Sequence, residues 1–212
     1  MKTDAPFWDK IAPKYAQNPI RDVAAYRQAL ARTCSYLKPD DRVLELGCGT
    51  GSTAIELASQ VAEITVSDLS QGMLAIARER AATAGVGNMQ FHQGSVAQAP
   101  EGTYDVVLAH NLLHLLPDLQ AALALVSARL PKGALFISKT PCLRESRGSA
   151  KYYLFKTMIP VMRFFGKAPG SAVHFFDISC LDDAVEAAGF AVVETGSYPV
   201  STPGRYIVAR RL

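Results

Sequence analysis

A chain of 212 residues, 49% hydrophobic and 19% charged, suits one globular domain over residues 1–212 with a sizeable core. A net charge of +3 is too mild to argue for a nucleic-acid partner, and the sequence holds no 18-residue apolar run that would span a bilayer. Met1 to Asp4 carry neither a signal-peptide apolar core nor Arg-rich transit character, and Cys34, Cys48, Cys142 and Cys180 form no C-x-x-C pair. Both features point to a cytoplasmic protein with free thiols.

In chain order, Phe7, Trp8, Ile11 and Tyr15 recur at helical spacing, with Pro13 expected to break regular helix. A second helical stripe over Ile20 to Leu37 ends before Lys38-Pro39-Asp40. The first strand, Arg42 to Leu46, runs into Gly47, Gly49 and Gly51, and a helix over Thr53 to Gln60 follows. Glycines here let the backbone turn tightly and let a ligand approach N–H groups, while the helix start favours polar or anionic groups. A second strand, Glu63 to Ser67, ends in Asp68, seventeen residues after Gly51. An acid at the end of the second strand of an α/β sheet can accept from both ribose hydroxyls, so the pair points to a nucleoside-containing cofactor. The dinucleotide fingerprint wants glycine or alanine where Ser52 stands.

Ser70 can cap a helix running to Ala84, terminated by Gly85. Met89 to His92 is a third strand leading to Gly94-Ser95-Val96, and Tyr104 to Ala109 is a fourth. His110 and His114, four apart, could share one helix face like half a zinc site, but no third ligand stands at motif spacing, so no metal is expected. A helix over Asp118 to Leu130 turns through Pro131-Lys132-Gly133 into a fifth strand, Ala134 to Ser138. The insert from Pro141 to Asp177 centres on a helix, Tyr152 to Phe165, apolar over half its circumference, with Lys156 and Arg163 on the other side and Pro160 expected to kink it. Residues 139–170 hold seven basic residues against one acid, Glu145. Such a helix can lid an apolar substrate, lie on an anionic membrane surface, or dock on its own domain. His174-Phe175-Phe176-Asp177 closes the insert. A last helix over Asp177 to Gly189, with Ser179 as N-cap, precedes strands Phe190 to Thr195 and Arg205 to Ala209. The short connection through Pro199 and Pro203-Gly204 makes those two antiparallel.

Glu45-Leu46-Gly47-Cys48-Gly49-Thr50-Gly51 resembles motif I of the class I S-adenosylmethionine (SAM)-dependent methyltransferases. Asp68-Leu69-Ser70-Gln71-Gly72-Met73-Leu74 resembles the family's D-x-S-x-x-M-L run. Phe7 to Tyr15 is similar to the F-W-D-x-x-A-x-x-Y opening of its small-molecule members, and His110 to His114 to their H-x-x-x-H segment after strand four. Among those members the chain resembles the ubiquinone/menaquinone-biosynthesis-like group. The resemblance implies a doubly wound α/β fold: a seven-stranded, mostly parallel sheet with an antiparallel last strand and a helical insert after strand five. It implies a helical N-terminal cover over residues 1–37, a substrate-covering insert over 141–177, and SAM as cofactor. The cofactor residues it implies are Tyr15, Glu45, Gly47, Cys48, Gly49, Gly51, Asp68, Leu69, Met73, Ser95, Val96 and His110. Ser95 departs from the family's Gly-Asp-Ala, whose aspartate accepts from the adenine amino group; a serine oxygen still accepts, without the charge. No N-P-P-Y run follows strand four, where Ala109-His110-Asn111-Leu112 stands, which argues against base or amide N-methylation.

Methyl transfer from a sulfonium needs donor and acceptor held in line with water excluded, and such orientation contributes about 7–11 kcal/mol to a barrier. A base helps only where the acceptor must lose a proton, and Tyr15, His110 and His114 are the candidates. The expected activity is methylation of a small, partly apolar acceptor, with no nucleic-acid partner. The alternatives are a lipid-headgroup methyltransferase touching anionic membrane through 139–170, a SAM-binding protein without turnover, and a nicotinamide-dependent reductase.

Overall fold

The computed structural model describes residues 4–170, 173–198 and 203–212, and Lys151 by its backbone alone. Seven strands form one sheet: β1 (Arg42–Leu46), β2 (Glu63–Asp68), β3 (Met89–Gln93), β4 (Val106–His110), β5 (Leu135–Pro141), β6 (Phe190–Gly196) and β7 (Gly204–Arg211), in the order β3-β2-β1-β4-β5-β7-β6. The first five strands pair in parallel, and β7 runs antiparallel to both β5 and β6. This is the expected fold. Pro199 in the β6–β7 connection lies outside the described residues. Val106, Val107, Leu108 and Ala109 are all buried, as a parallel strand covered on both faces requires.

The described residues form seven α-helices besides: α1 (Ala5–Gln17), α2 (Val23–Cys34), α3 (Ser52–Leu57), α4 (Gln71–Thr83), α5 (Leu119–Ala128), α6 (Ala150–Phe164) and α7 (Ile178–Ala187). Alternation along β1 and β4 divides the core. Leu44, Leu46, Val107 and Ala109 pack with Leu123, Val126, Leu181 and Val185, whereas Val43, Val106 and Leu108 pack with Ala54, Leu57 and Leu74 on the other face. The caps are local. Asp22, Ser70, Asp118 and Ser149 each accept from a backbone N–H in the first turn of α2, α4, α5 and α6.

Three expectations are corrected. Pro13 does not break α1, which runs through it. The helix is held from outside: Asp9 Oδ1 accepts from Ser70 Oγ at 2.6 Å and from the Gly72 N–H at 2.8 Å, Arg80 donates to the Ala16 carbonyl at 2.6 Å, and Ala12 is buried. Gly72 permits this approach, since a Cβ there would sit 3.3 Å from Asp9 Cα. Ser179 is not the N-cap of α7; Asp177 occupies that position, and the Ile178 N–H donates to Glu145 Oε1 at 2.7 Å, so the insert caps the helix. His110 and His114 share no helix: His110 ends β4, Asn111 adopts φ 55°, and a 3₁₀ turn over Leu113–Leu115 carries His114.

Candidate functional site

The strand order reverses between β1 and β4, whose chain continuations part to opposite sides, and a crevice opens beyond their carboxyl ends. There lies a cavity of about 1530 Å³, larger than the ~300–1,000 Å³ usual for a single small ligand. Its floor is the glycine loop. Gly47 and Gly49 take φ of +65° and +55°; a Cβ on Gly47 would meet Leu112 Cδ1 at 2.7 Å, while the space beside Gly49 is open. The loop is held by Asp68, whose Oδ2 accepts from the Gly49 N–H at 2.8 Å and whose Oδ1 accepts from the Ser70 N–H at 2.9 Å. The carboxylate retains further acceptor capacity, and Asp68 lines the cavity.

Of the residues expected at the site, Tyr15, Glu45, Gly47, Cys48, Gly49, Asp68, Leu69, Met73, Ser95, Val96 and His110 line this cavity. Gly51 and His114 are not among its lining residues. Gly51, at φ +76°, seats α4, since a Cβ there would come 3.0 Å from Ala77 Cβ. His114 is held by its backbone, its carbonyl accepting from the His174 N–H at 2.7 Å. Tyr15 stands half exposed at the rim. Ser95 Oγ donates to Gln98 Oε1 at 3.0 Å, which leaves it able to accept from a ligand. The N-terminal segment reaches the cavity with Asp4, Trp8 and residues 15–22, and the insert does so with Gly170 and His174. The insert helix α6 lines none of it: Tyr152 is buried, but Phe164 is 85% and Phe165 67% exposed.

Burial sets the electrostatics. The Glu45 carboxyl is enclosed, Oε2 has no hydrogen-bond partner among the described residues, and desolvation, aided by the Asp68 charge, pushes its pKa up to about 8. Burial also raises Asp68, against the pull of the Ser70 and Gly49 N–H groups. The Cys48 thiol is pushed well up by burial, which suits a small filler of the loop. Burial lowers His110 and His114 to about 4, with Lys139 adding to the effect at His110 and His174 at His114. Both imidazoles are neutral at pH 7.

Four residues of this region lie outside the sequence expectation. Asp9 and Arg80 fasten α1 over the glycine loop, Arg80 also donating to Thr50 Oγ1 at 2.9 Å. Lys139 and His174 also line the cavity. Lys139 had a legible signal, for it stands near the carboxyl end of a parallel strand as Asp68 does. Asp9 stands in the F-W-D run, but its anchoring role had no signal there, because its partners are 61 and 63 residues away. No group of three His, Cys, Asp or Glu among the described residues could hold a metal ion.

A seven-stranded sheet with a reversed β7, a glycine loop after β1 and an acid ending β2 define the class I methyltransferase fold. Residues 43–133 match the family model described as a methyltransferase domain, and the curated relatives to which the chain is similar include several small-molecule methyltransferases. The demethylmenaquinone methyltransferase of Symbiobacterium thermophilum is 27% identical over 175 residues, covering 74% of this chain and 67% of the relative. Several other curated relatives are longer, the chain spanning less than half of their length. Among solved structures, the magnesium protoporphyrin IX methyltransferase of Synechocystis PCC 6803 with bound S-adenosylhomocysteine (SAH) superposes with a TM-score of 0.70 at 21% identity, covering 98% of this chain and 94% of that one. The [4+2]-cyclase SpnF superposes at 0.75 with 17% identity, covering 98% and 95%.

Proposed function

We propose that the protein transfers the methyl group of SAM to a small, partly apolar acceptor. The observation that carries this is one continuous cavity. It begins at Asp68, Leu69 and Ser95, passes over the glycine loop, and ends among His110, Leu112, Leu115, Leu116 and Lys139. The first part fits a nucleoside: Asp68 has lone pairs for two ribose hydroxyls, Leu69 and Met73 present apolar surface to a base, and Ser95 accepts from an exocyclic amine. Glu45, an enclosed carboxyl with an unpartnered oxygen, fits the amino group of the methionine end. Bound there, SAM supplies a methyl carbon whose leaving group is already activated as a sulfonium. The chain's own task is to position the acceptor and exclude water. Neutral His110 can accept a proton or hydrogen-bond the acceptor, and Tyr15 at the rim can close over it.

The acceptor's class follows from the wall that faces it, with Leu112, Leu115, Leu116 and Pro117 set against a few polar groups. The resemblance to the ubiquinone/menaquinone-biosynthesis-like group, together with the demethylmenaquinone methyltransferase relative, supports an acceptor of the quinone type. Titration calorimetry with SAH tests the cofactor site. Asp68→Ala is expected to weaken SAH by at least about tenfold, since charge-assisted hydrogen bonds contribute roughly 1.5–3 kcal/mol each; unchanged affinity refutes the ribose assignment. Incubation with methyl-labelled SAM and a cell extract tests turnover. A labelled small product is expected, and its absence favours binding without turnover.

A second reading, peripheral contact with anionic membrane, is favoured by α6. Tyr153, Leu154, Phe155, Met158, Val161, Phe164 and Phe165 are exposed there beside Lys156. Flotation with phosphatidylglycerol vesicles, and not phosphatidylcholine vesicles, is the expected result; failure to float with either removes this reading.

A further inference from the structure

Lys139 occupies a place that neither the cofactor nor the fold explains. It lies in β5 beside His110 of β4 in the parallel register, and both line the cavity. Counting from Asp68 on β2, the sheet order places β1, β4 and then β5, so Lys139 stands three strand spacings away, roughly 14 Å at the ~4.8 Å spacing of paired strands. The nucleoside end of the cavity is therefore remote from it. The residue is half-buried, and burial lowers its pKa. Among the described residues no carboxylate lies within ion-pair distance of it; Asp22, the acid whose field it feels, caps α2 by accepting from the Ala25 N–H at 2.9 Å. A partly desolvated cation without a contact partner is costly unless a ligand pairs with it. Two further residues line the same cavity. His110 Nε2 and His174 Nε2 are both enclosed and without hydrogen-bond partners among the described residues, and both residues line the cavity. In the Nε2–H tautomer each is a donor, and the Lys139 charge itself disfavours protonation of His110.

We infer that Lys139, with His110 and His174, forms an oxyanion-recognition site at the acceptor end of the cavity, so that the protein selects acceptors bearing a carboxylate or an ionised phenolic or enolic oxygen. The inference rests on the methyltransferase reading and deepens it. One ammonium and two imidazole donors set in an apolar pocket discriminate against an uncharged analogue, which leaves the ammonium unpaired. Lys139 here is a specificity-determining residue. His110 and His174 complete the site, and the leucines around them supply the affinity for an apolar body.

The test uses SAH-saturated full-length protein and two matched probe pairs. In the carboxylate arm, 2-naphthoate and 2-naphthamide are titrated at pH 7; naphthoate is expected to bind at least about tenfold tighter, the preference falling to under about threefold in Lys139→Gln. In the phenolate arm, bound 7-hydroxycoumarin is expected to show its phenolate absorbance at a pH where the free dye is neutral, and Lys139→Gln to abolish that shift. The exposed Lys156→Gln is the control expected to keep both signals. Preference in one arm alone assigns the oxygen type. Equal binding of acid and amide together with an unshifted dye, or signals that survive in Lys139→Gln, overturn the inference while leaving the methyltransferase reading intact. Loss of SAH binding confined to Lys139→Gln places the lysine in the cofactor site and also overturns it. Failure of the wild-type protein to bind SAH overturns both.

Discussion

Glu45 shows how one buried atom sets a measurable property. Its carboxyl sits in β1 under the glycine loop with one oxygen unpartnered, and burial raises its pKa from 4.5 to about 8. A raised pKa in the folded state means that the neutral form is favoured there. The contribution to stability is then complete below about pH 4.5, erodes as the unfolded chain ionises, and is lost above about pH 8. In the ligand-free protein, Glu45→Gln should therefore melt close to wild type at pH 4.5 and progressively higher than wild type as the pH approaches 8, read by thermal scans across that range. Binding should invert the preference. A cationic amino group beside Glu45 favours the carboxylate, so SAH binding at pH 7 should release a proton, detected as a binding enthalpy that changes with the buffer's ionisation enthalpy. A buffer-independent enthalpy would separate Glu45 from the ligand's amine. The same residue was legible in sequence as part of the glycine motif, but its isolation was not, because that depends on how α2 and α3 close over the strand.

At the scale of elements, the informative contact joins α1 to α4. Asp9 accepts from the Ser70 hydroxyl and the Gly72 N–H, and Arg80 reaches from α4 to the end of α1. Together these hold Trp8 and Tyr15 against the cavity despite Pro13. Asp9→Ala should cost about 2–3 kcal/mol of stability, the scale for removing hydrogen bonds to a charged group, and should weaken SAH several-fold. Hydrogen exchange over residues 5–17 would read the loosening directly; unchanged protection there would show that α1 is held by packing alone. The aromatic spacing of α1 predicted a helix, and a helix it is. What periodicity could not reveal is the anchor that lets it pass through a proline, since Asp9 and Gly72 are brought together only when α4 packs beneath α1. The histidines teach the same lesson in reverse. Spacing four apart suggested one helix face, but Asn111 at φ 55° turns the chain between them, its N–H donating to the Lys139 carbonyl at 2.6 Å. That bond exists only beside β5.

For the whole molecule, stability is unevenly placed. The sheet and the helices against it bury their apolar residues on both faces, whereas α6 buries Tyr152 and exposes most of its large side chains. Few buried contacts imply a low free energy of local opening. Limited proteolysis should cut first between residues 150 and 165, leaving the sheet resistant and SAH affinity intact; early cleavage within the sheet would contradict this distribution. The amino-acid sequence by itself determined the strands, the glycine loop with its acid, the reversed last strand and the class of cofactor. These follow from local patterns: apolar runs, glycine at positive φ, caps and a short final connection. The tertiary structure alone decided that α6 stands away from the cavity, that α1 survives its proline, and that Lys139, His110 and His174 line one cavity. Each of these depends on groups distant in sequence, and burial, charge and hydrogen bonding between such groups take their values only once the chain has folded.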